Sequence, residues 1–270
     1  MDWRCGADTV SLFSMPLAVL DSLLAARTAS IADDVSQRSA ARAKPLSLGQ
    51  GRSAVTVQGA PGTSVSLPEA VSALLPEGGL LRGGVVEIAA ARGLAKSTSL
   101  ALAACASAQA EARLRGGAVS TQGAWCGWVD ATGSLHAPFA ASAGVDLNRL
   151  LVVSPPTNKL AKVAVRMAES RAFSVLVVDT TGALGDHDRV RPDEVGRWST
   201  TVRRLSLAIE NSDRTILLLT DLGARRPMVL PVAMRIELER PAADRLLVRV
   251  GKDRFGRVTS KTTLPLAESA

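Results

Sequence analysis

The most constraining feature of this chain is a set of short, predominantly apolar runs separated by longer helix-forming stretches. The runs are Val85–Ala89, Gly127–Ala131, Leu150–Ser154, Ser174–Asp179 and Ile216–Thr220. Apolar runs this short, without a polar residue at every second position, are expected to be strands buried on both faces. Lys96–Arg115, Lys159–Ser170 and Glu194–Asn211 lie among them and read as helices. Such alternation predicts a mainly parallel central sheet flanked by helices. The end of the chain has a different pattern. Met234–Glu239, Leu246–Gly251 and Arg257–Leu264 follow one another with only short turns, which predicts antiparallel strands added to the α/β core.

Upstream of this pattern the chain is organised differently. Leu67–Leu75 reads as a helix, and Val55–Ser66, rich in Gly, Ser and Thr, as an irregular or short β segment. The core is therefore expected over residues 53–270, preceded over 1–52 by an N-terminal helix and a basic linker. Met15–Arg27 forms the helix, with Pro16 at its start and Leu17, Leu20, Leu23 and Leu24 on one face. That face either packs at home or docks a partner, for which Leu17, Leu20 and Leu24 are the candidates. Arg38, Arg42 and Lys44 make the linker basic.

Composition removes several function classes. Apolar residues make up 47% of the 270, so a full core can be buried. Only His136 and His187 are present, which excludes a His-rich metal site, and no metal ligand is assigned. Cys5, Cys105 and Cys126 have no metal-ligand spacing and suit a reducing compartment. No run is long enough for a membrane span or placed as a signal peptide, so the expectation is a cytoplasmic protein. The net charge of +7 favours anionic partners, with weak, sequence-independent DNA contact ahead of membrane.

Chemistry is suggested where the first of these strands meets its helix. A phosphate loop reads G-x-x-x-x-G-K-[ST] between a strand and a helix, because backbone N–H groups must converge on phosphate oxygens. Here Ala90-Ala91-Arg92-Gly93-Leu94-Ala95-Lys96-Ser97 occupies that place, with alanine at both signature glycines. A Cβ at a left-handed position costs roughly 1–2 kcal/mol and can crowd the ligand. Lys96, Ser97 and Thr98 keep the charge and hydroxyls of such a site, which leaves weak nucleotide binding open. Phe173–Asp179 is an apolar strand ending in an acid, the usual place of a carboxylate that helps hold Mg²⁺. Trp125–Thr132 is another strand with polar groups at its carboxyl end, where open parallel sheets bind ligands.

Together these residues resemble the RecA recombinase family, from about Leu67 to Leu264. The resemblance is carried by Leu67–Val71 with Gly79–Ile88, by Trp128–Ala131 with Gly144–Leu151, and by Val177–Asp179. It implies a RecA-like P-loop NTPase core. It also marks losses. Where the family has its water-activating glutamate this chain has Thr132, which is no base near neutral pH. Thr220-Asp221-Leu222 stands in place of a nucleotide-sensing glutamine, and no Gln occurs after Gln122. Gly223–Pro227 leaves little room for the second DNA-binding loop. The first loop region, Leu184–Glu194, carries Asp186, Asp188, Asp193 and Glu194 and reads as a solvated charged turn in preference to a DNA contact. Gly251-Lys252-Asp253-Arg254 resembles the basic pair that reaches the nucleotide of a neighbouring protomer, the plain alternative being a solvated hairpin turn.

A truncated core with degenerate Walker motifs resembles the ImuA group, and less closely the SulA-type division inhibitors. The ImuA resemblance implies a non-catalytic accessory role in the SOS response and translesion mutagenesis. The implied partners are the recombinase RecA and the Y-family polymerase-like subunit ImuB. No catalytic residue and no cofactor are expected. Lys96, Ser97, Thr98 and Asp179 are read as a vestigial nucleotide site, and Lys252 and Arg254 as partner contacts. A divergent weak ATPase that binds DNA is the alternative.

Overall fold

The computed structural model describes residues 64–91, 96–116, 124–181, 192–223 and 229–266, with side chains from Arg197 onward in the segment that starts at Pro192. The expected N-terminal helix with Leu17, Leu20 and Leu24, the basic linker, loop residues 92–95, residues 184–191 of the first loop region and residues 224–228 lie outside the described residues.

An eight-stranded sheet organises the chain. Its strands are β3 (Gly84–Ala90), β4 (Cys126–Asp130), β5 (Leu150–Val153), β6 (Val175–Asp179), β7 (Thr215–Asp221), β8 (Met234–Ala242), β9 (Arg245–Asp253) and β10 (Thr262–Pro265). The spatial order is β10-β9-β8-β3-β7-β6-β4-β5. The six strands from β8 to β5 run parallel, and β9 and β10 continue the sheet by antiparallel pairing. A two-stranded antiparallel sheet of β1 (Ser64–Val65) and β2 (Leu80–Leu81) precedes it. The expected mainly parallel sheet with antiparallel C-terminal strands is therefore found.

The helices cover the sheet as the apolar runs require. β3, β4 and β6 are buried at every residue. On one face α2 (Ser97–Gly116) packs Leu100, Leu102, Cys105 and Ala108 into a core with Ile88, Trp128, Val177 and Leu219. Alanine-rich composition favours this helix, since alanine has the best intrinsic helix propensity. On the other face α4 (Leu160–Glu169) and α5 (Pro192–Ile209) bring Val163, Met167, Val202, Leu205 and Ile209 against Val85, Val129, Val178 and Leu218. Each fully buried Leu or Val contributes about 1.5–3 kcal/mol relative to exposure. β4 admits Gly127 because a Cβ there would meet Met167 Cε at 2.8 Å and Leu176 Cδ1 at 2.9 Å. Glycine there lets α4 lie close to the sheet.

Some expectations change. The helix read over Leu67–Leu75 is a single turn, α1 (Glu69–Ser72). Pro68 starts it, and Ser72 is drawn back to Leu67, donating from Oγ to the Leu67 carbonyl at 2.9 Å. The third antiparallel strand starts at Thr262 instead of Arg257, because Arg257 belongs to a turn folded around Asp253. The helix read from Glu194 begins at Pro192, so Asp193 and Glu194 belong to its first turn and not to the preceding loop. A further helix, α3 (Ala137–Ser142), was not read from the sequence.

Candidate functional site

The carboxyl ends of β3, β4, β6 and β7 meet the start of α2 at one edge of the sheet. Lys96 immediately precedes α2, its carbonyl accepting from the Leu100 amide at 3.0 Å, and Ser97 and Thr98 are the first helical residues. All three are partly exposed. A helix N-terminus suits an anion, and this is the place where the sequence leads one to expect phosphate, with alanine at both signature glycine positions. At the first signature position Ala90 is an ordinary strand residue, paired with Asp221 and Leu238, and its backbone is not left-handed. The alanine there therefore carries no backbone strain, contrary to the expectation for that position. Its Cβ is buried in the core with Ile88 and Leu219.

Asp130 and Asp179 end neighbouring strands in direct register, on the face that α2 covers. Both are buried, and their surroundings treat them differently. Asp130 Oδ1 accepts from the Thr132 amide at 2.8 Å and the Thr132 hydroxyl at 2.6 Å. Its Oδ2 accepts from the Ser134 amide at 2.6 Å, the Ser134 hydroxyl at 3.1 Å and the Leu135 amide at 3.1 Å. Burial alone would push this carboxyl up, but the bonds from Thr132, Leu135 and Ser134 together hold it below the usual carboxylate range. Asp179 accepts from the Thr181 amide at 2.9 Å and from the Thr181 hydroxyl. Burial, helped by the charge of Asp130, pushes Asp179 above its ordinary value despite those bonds.

Thr132, at the position of the family's glutamate, therefore has a structural task. Its hydroxyl is turned inward onto Asp130, closing the loop that leaves β4. At the end of β7, Thr220 is buried and donates to Glu87 Oε1 at 2.7 Å, while Asp221 Oδ1 accepts from the Gly223 amide at 2.8 Å.

Lys252 and Arg254 stand elsewhere. β9 runs against β8, so its carboxyl end lies beside Met234, which itself pairs with Val86 near the start of β3. Five strand residues, Val86 to Ala90, separate that level from the end of β3. At about 3.3 Å per residue, the four steps from Val86 to Ala90 put the level of the basic pair about 13 Å along the sheet from the end of β3. Lys252 Nζ donates to the Leu230 carbonyl at 3.0 Å. Arg254 is exposed, with its guanidinium 4.6 Å from the Phe255 ring centre. Arg257, expected as the start of a strand, instead stacks on the same ring at 4.8 Å and pairs with Asp253 at 2.8 Å and Glu77 at 2.7 Å. The acceptor role of Asp130 was not expected from the sequence, although an acid followed by Thr and Ser at the second and fourth positions signals it.

The family described as the RecA N-terminal domain matches residues 32–223 of this chain. Protein RecA of Bartonella tribocorum is 34% identical over 149 residues, 55% of this chain and 38% of that protein. Protein RecA of Rhizobium rhizogenes is 28% identical over 195 residues, 69% of this chain and 50% of that protein. For Protein RecA of Acidiphilium cryptum the identity is 41% over 108 residues, 40% of this chain and 28% of that protein. The chain thus spans no more than half the length of these curated relatives. The matched residues take in every described element from β1 through β7, including both ends of the phosphate loop and the Asp130–Asp179 pair, so the chain belongs to the RecA family.

Proposed function

We propose that this chain is a non-catalytic RecA-like accessory protein of the ImuA kind, acting in the DNA damage response and in SOS translesion mutagenesis. The observation that carries the non-catalytic reading is the Thr132–Asp130 bond. The residue at the glutamate position is neutral at working pH, and its hydroxyl is committed inward at 2.6 Å. Thr132 therefore supplies no general base to a water at the carboxyl edge of the sheet. Lys96, Ser97 and Thr98 with Asp179 would be the groups to hold a nucleoside triphosphate and Mg²⁺ if one binds, contributing charge and oxygen ligands only.

The separation of the two candidate surfaces supports an interaction role. Lys252 and Arg254 lie at the opposite end of the sheet from Lys96 and Asp179. One chain cannot bring them together on one nucleotide. A chain that offers Lys252 and Arg254 to ATP on a true recombinase, without hydrolysing ATP itself, would cap a filament. A recombinase and a Y-family polymerase-like subunit of the ImuB kind are the proposed partners. Titrating the purified chain into strand exchange by the host RecA tests this. Inhibition at sub-stoichiometric amounts, relieved in a Lys252→Glu/Arg254→Glu variant, is expected; the absence of both binding and inhibition would refute it.

The second reading is a divergent weak ATPase. Its support is the retained placement of Lys96 at the start of α2 and of Asp179 at the end of β6.

A further inference from the structure

A cavity of about 690 Å³ opens at the amino end of the parallel strands, away from the Lys96–Asp179 edge. Its walls come from α5, from the segment before β8 and from the turn after β9, through Arg203, Leu207, Glu210, Pro231, Ala233 and Arg254. That volume is in the range of sites that accept small ligands or several side chains. Leu207 is 66% exposed on its wall, an unusual position for a leucine inside a concavity. Arg203 on α5 and Arg254 on the turn after β9 both line it and are exposed, and neither has an ion-pair partner among the described residues.

The local charges decide which anionic partner fits. Arg82 also lines the cavity but is already bound to the Ser64 and Asp213 carbonyls and to Glu111. Glu210 and the carbonyl end of α5 put negative charge on one wall. That wall disfavours a polyphosphate chain or a nucleic-acid backbone, which would need uniform positive charge. An exposed leucine in one cavity with guanidiniums from two different elements suits an apolar side chain flanked by carboxylates, and Glu210 can receive a peptide N–H. Arg254 is held against Phe255, on whose ring Arg257 also stacks, so less freedom is lost when it binds.

We propose that this cavity is a docking site for an acidic–apolar peptide segment of a partner protein, with Leu207 as its apolar seat and Arg203 and Arg254 as its carboxylate clamps. The site shares Arg254 with the proposed nucleotide contact, so its test rests on Arg203 and Leu207, which take no part in that contact.

The test is fluorescence anisotropy of the full chain with a panel of labelled peptides. In these a leucine or phenylalanine is flanked by glutamates, and the controls carry lysine for glutamate. Acidic members are expected to bind saturably, and Arg203→Glu and Leu207→Asp, both at exposed positions, are each expected to weaken binding by about tenfold or more. Excess thymidylate oligomer should not displace the peptide. The proposal is overturned if no acidic member binds, if lysine peptides bind as well, if both α5 variants bind like the unaltered chain, or if the oligomer competes.

Discussion

Thr132 donates both its amide and its hydroxyl to Asp130 Oδ1, at 2.8 and 2.6 Å. At the position where the resemblance implies a base, this chain has a donor that secures a buried acid. Thr132→Val keeps the shape and removes one bond to a charged acceptor, so a loss of about 1–3 kcal/mol in urea unfolding is expected. Thr132→Glu adds a negative charge beside Asp130 and Asp179 and should destabilise the fold further without creating phosphate release.

Asp130 and Asp179 should respond to neutralisation with opposite signs. Asp130 is held below the unfolded carboxylate value of about 3.9, so it adds stability above that pH and loses it as pH falls through its folded value. Asp179 is raised, so its ionised form opposes folding at neutral pH, and that penalty disappears as pH falls through its folded value. Asp130→Asn should therefore lower the urea midpoint at neutral pH and Asp179→Asn should raise it. Both differences shrink toward acid, beginning at higher pH for Asp179→Asn. Midpoints of the same sign would contradict the assignment.

A charged ladder crosses the face of the sheet opposite α2. Glu87 is fully buried and lies 3.6 Å from Arg235, which reaches Glu237 at 3.2 Å, and Glu237 reaches Arg249 at 3.4 Å. Removing the cation leaves Glu87 buried with less countercharge. Arg235→Met is expected to cost about 2–4 kcal/mol in urea unfolding, and the double variant Glu87→Leu/Arg235→Met much less than that. Arg249→Met, at the exposed end of the ladder, should cost under about 1 kcal/mol.

The parts of this fold that could be read from the sequence are those governed by local pattern. β3, β4 and β6 are buried on both faces, and such strands appear directly as apolar runs. The residue types at Ala90 and Thr132 were read from spacing alone, but the strain expected at Ala90 is absent because it is an ordinary strand residue. What was hidden depends on distance in sequence. Arg257 pairs with Glu77 across 180 positions, and no local spacing announces that contact. The cavity beside Leu207 and Arg254 needs α5 and the end of β9 side by side, which only the sheet order provides. The one-turn helix at Glu69–Ser72 was over-extended because apolar spacing continues to Leu75, whereas the backbone breaks into turns after Ser72.

The most direct measurement of the central claim is phosphate release by the full chain with Mg-ATP, with and without single-stranded DNA, beside Lys96→Ala. Release at the level of the buffer blank, unchanged by Lys96→Ala, is the predicted result. Multiple turnovers abolished by Lys96→Ala would contradict the account and establish the chain as an ATPase.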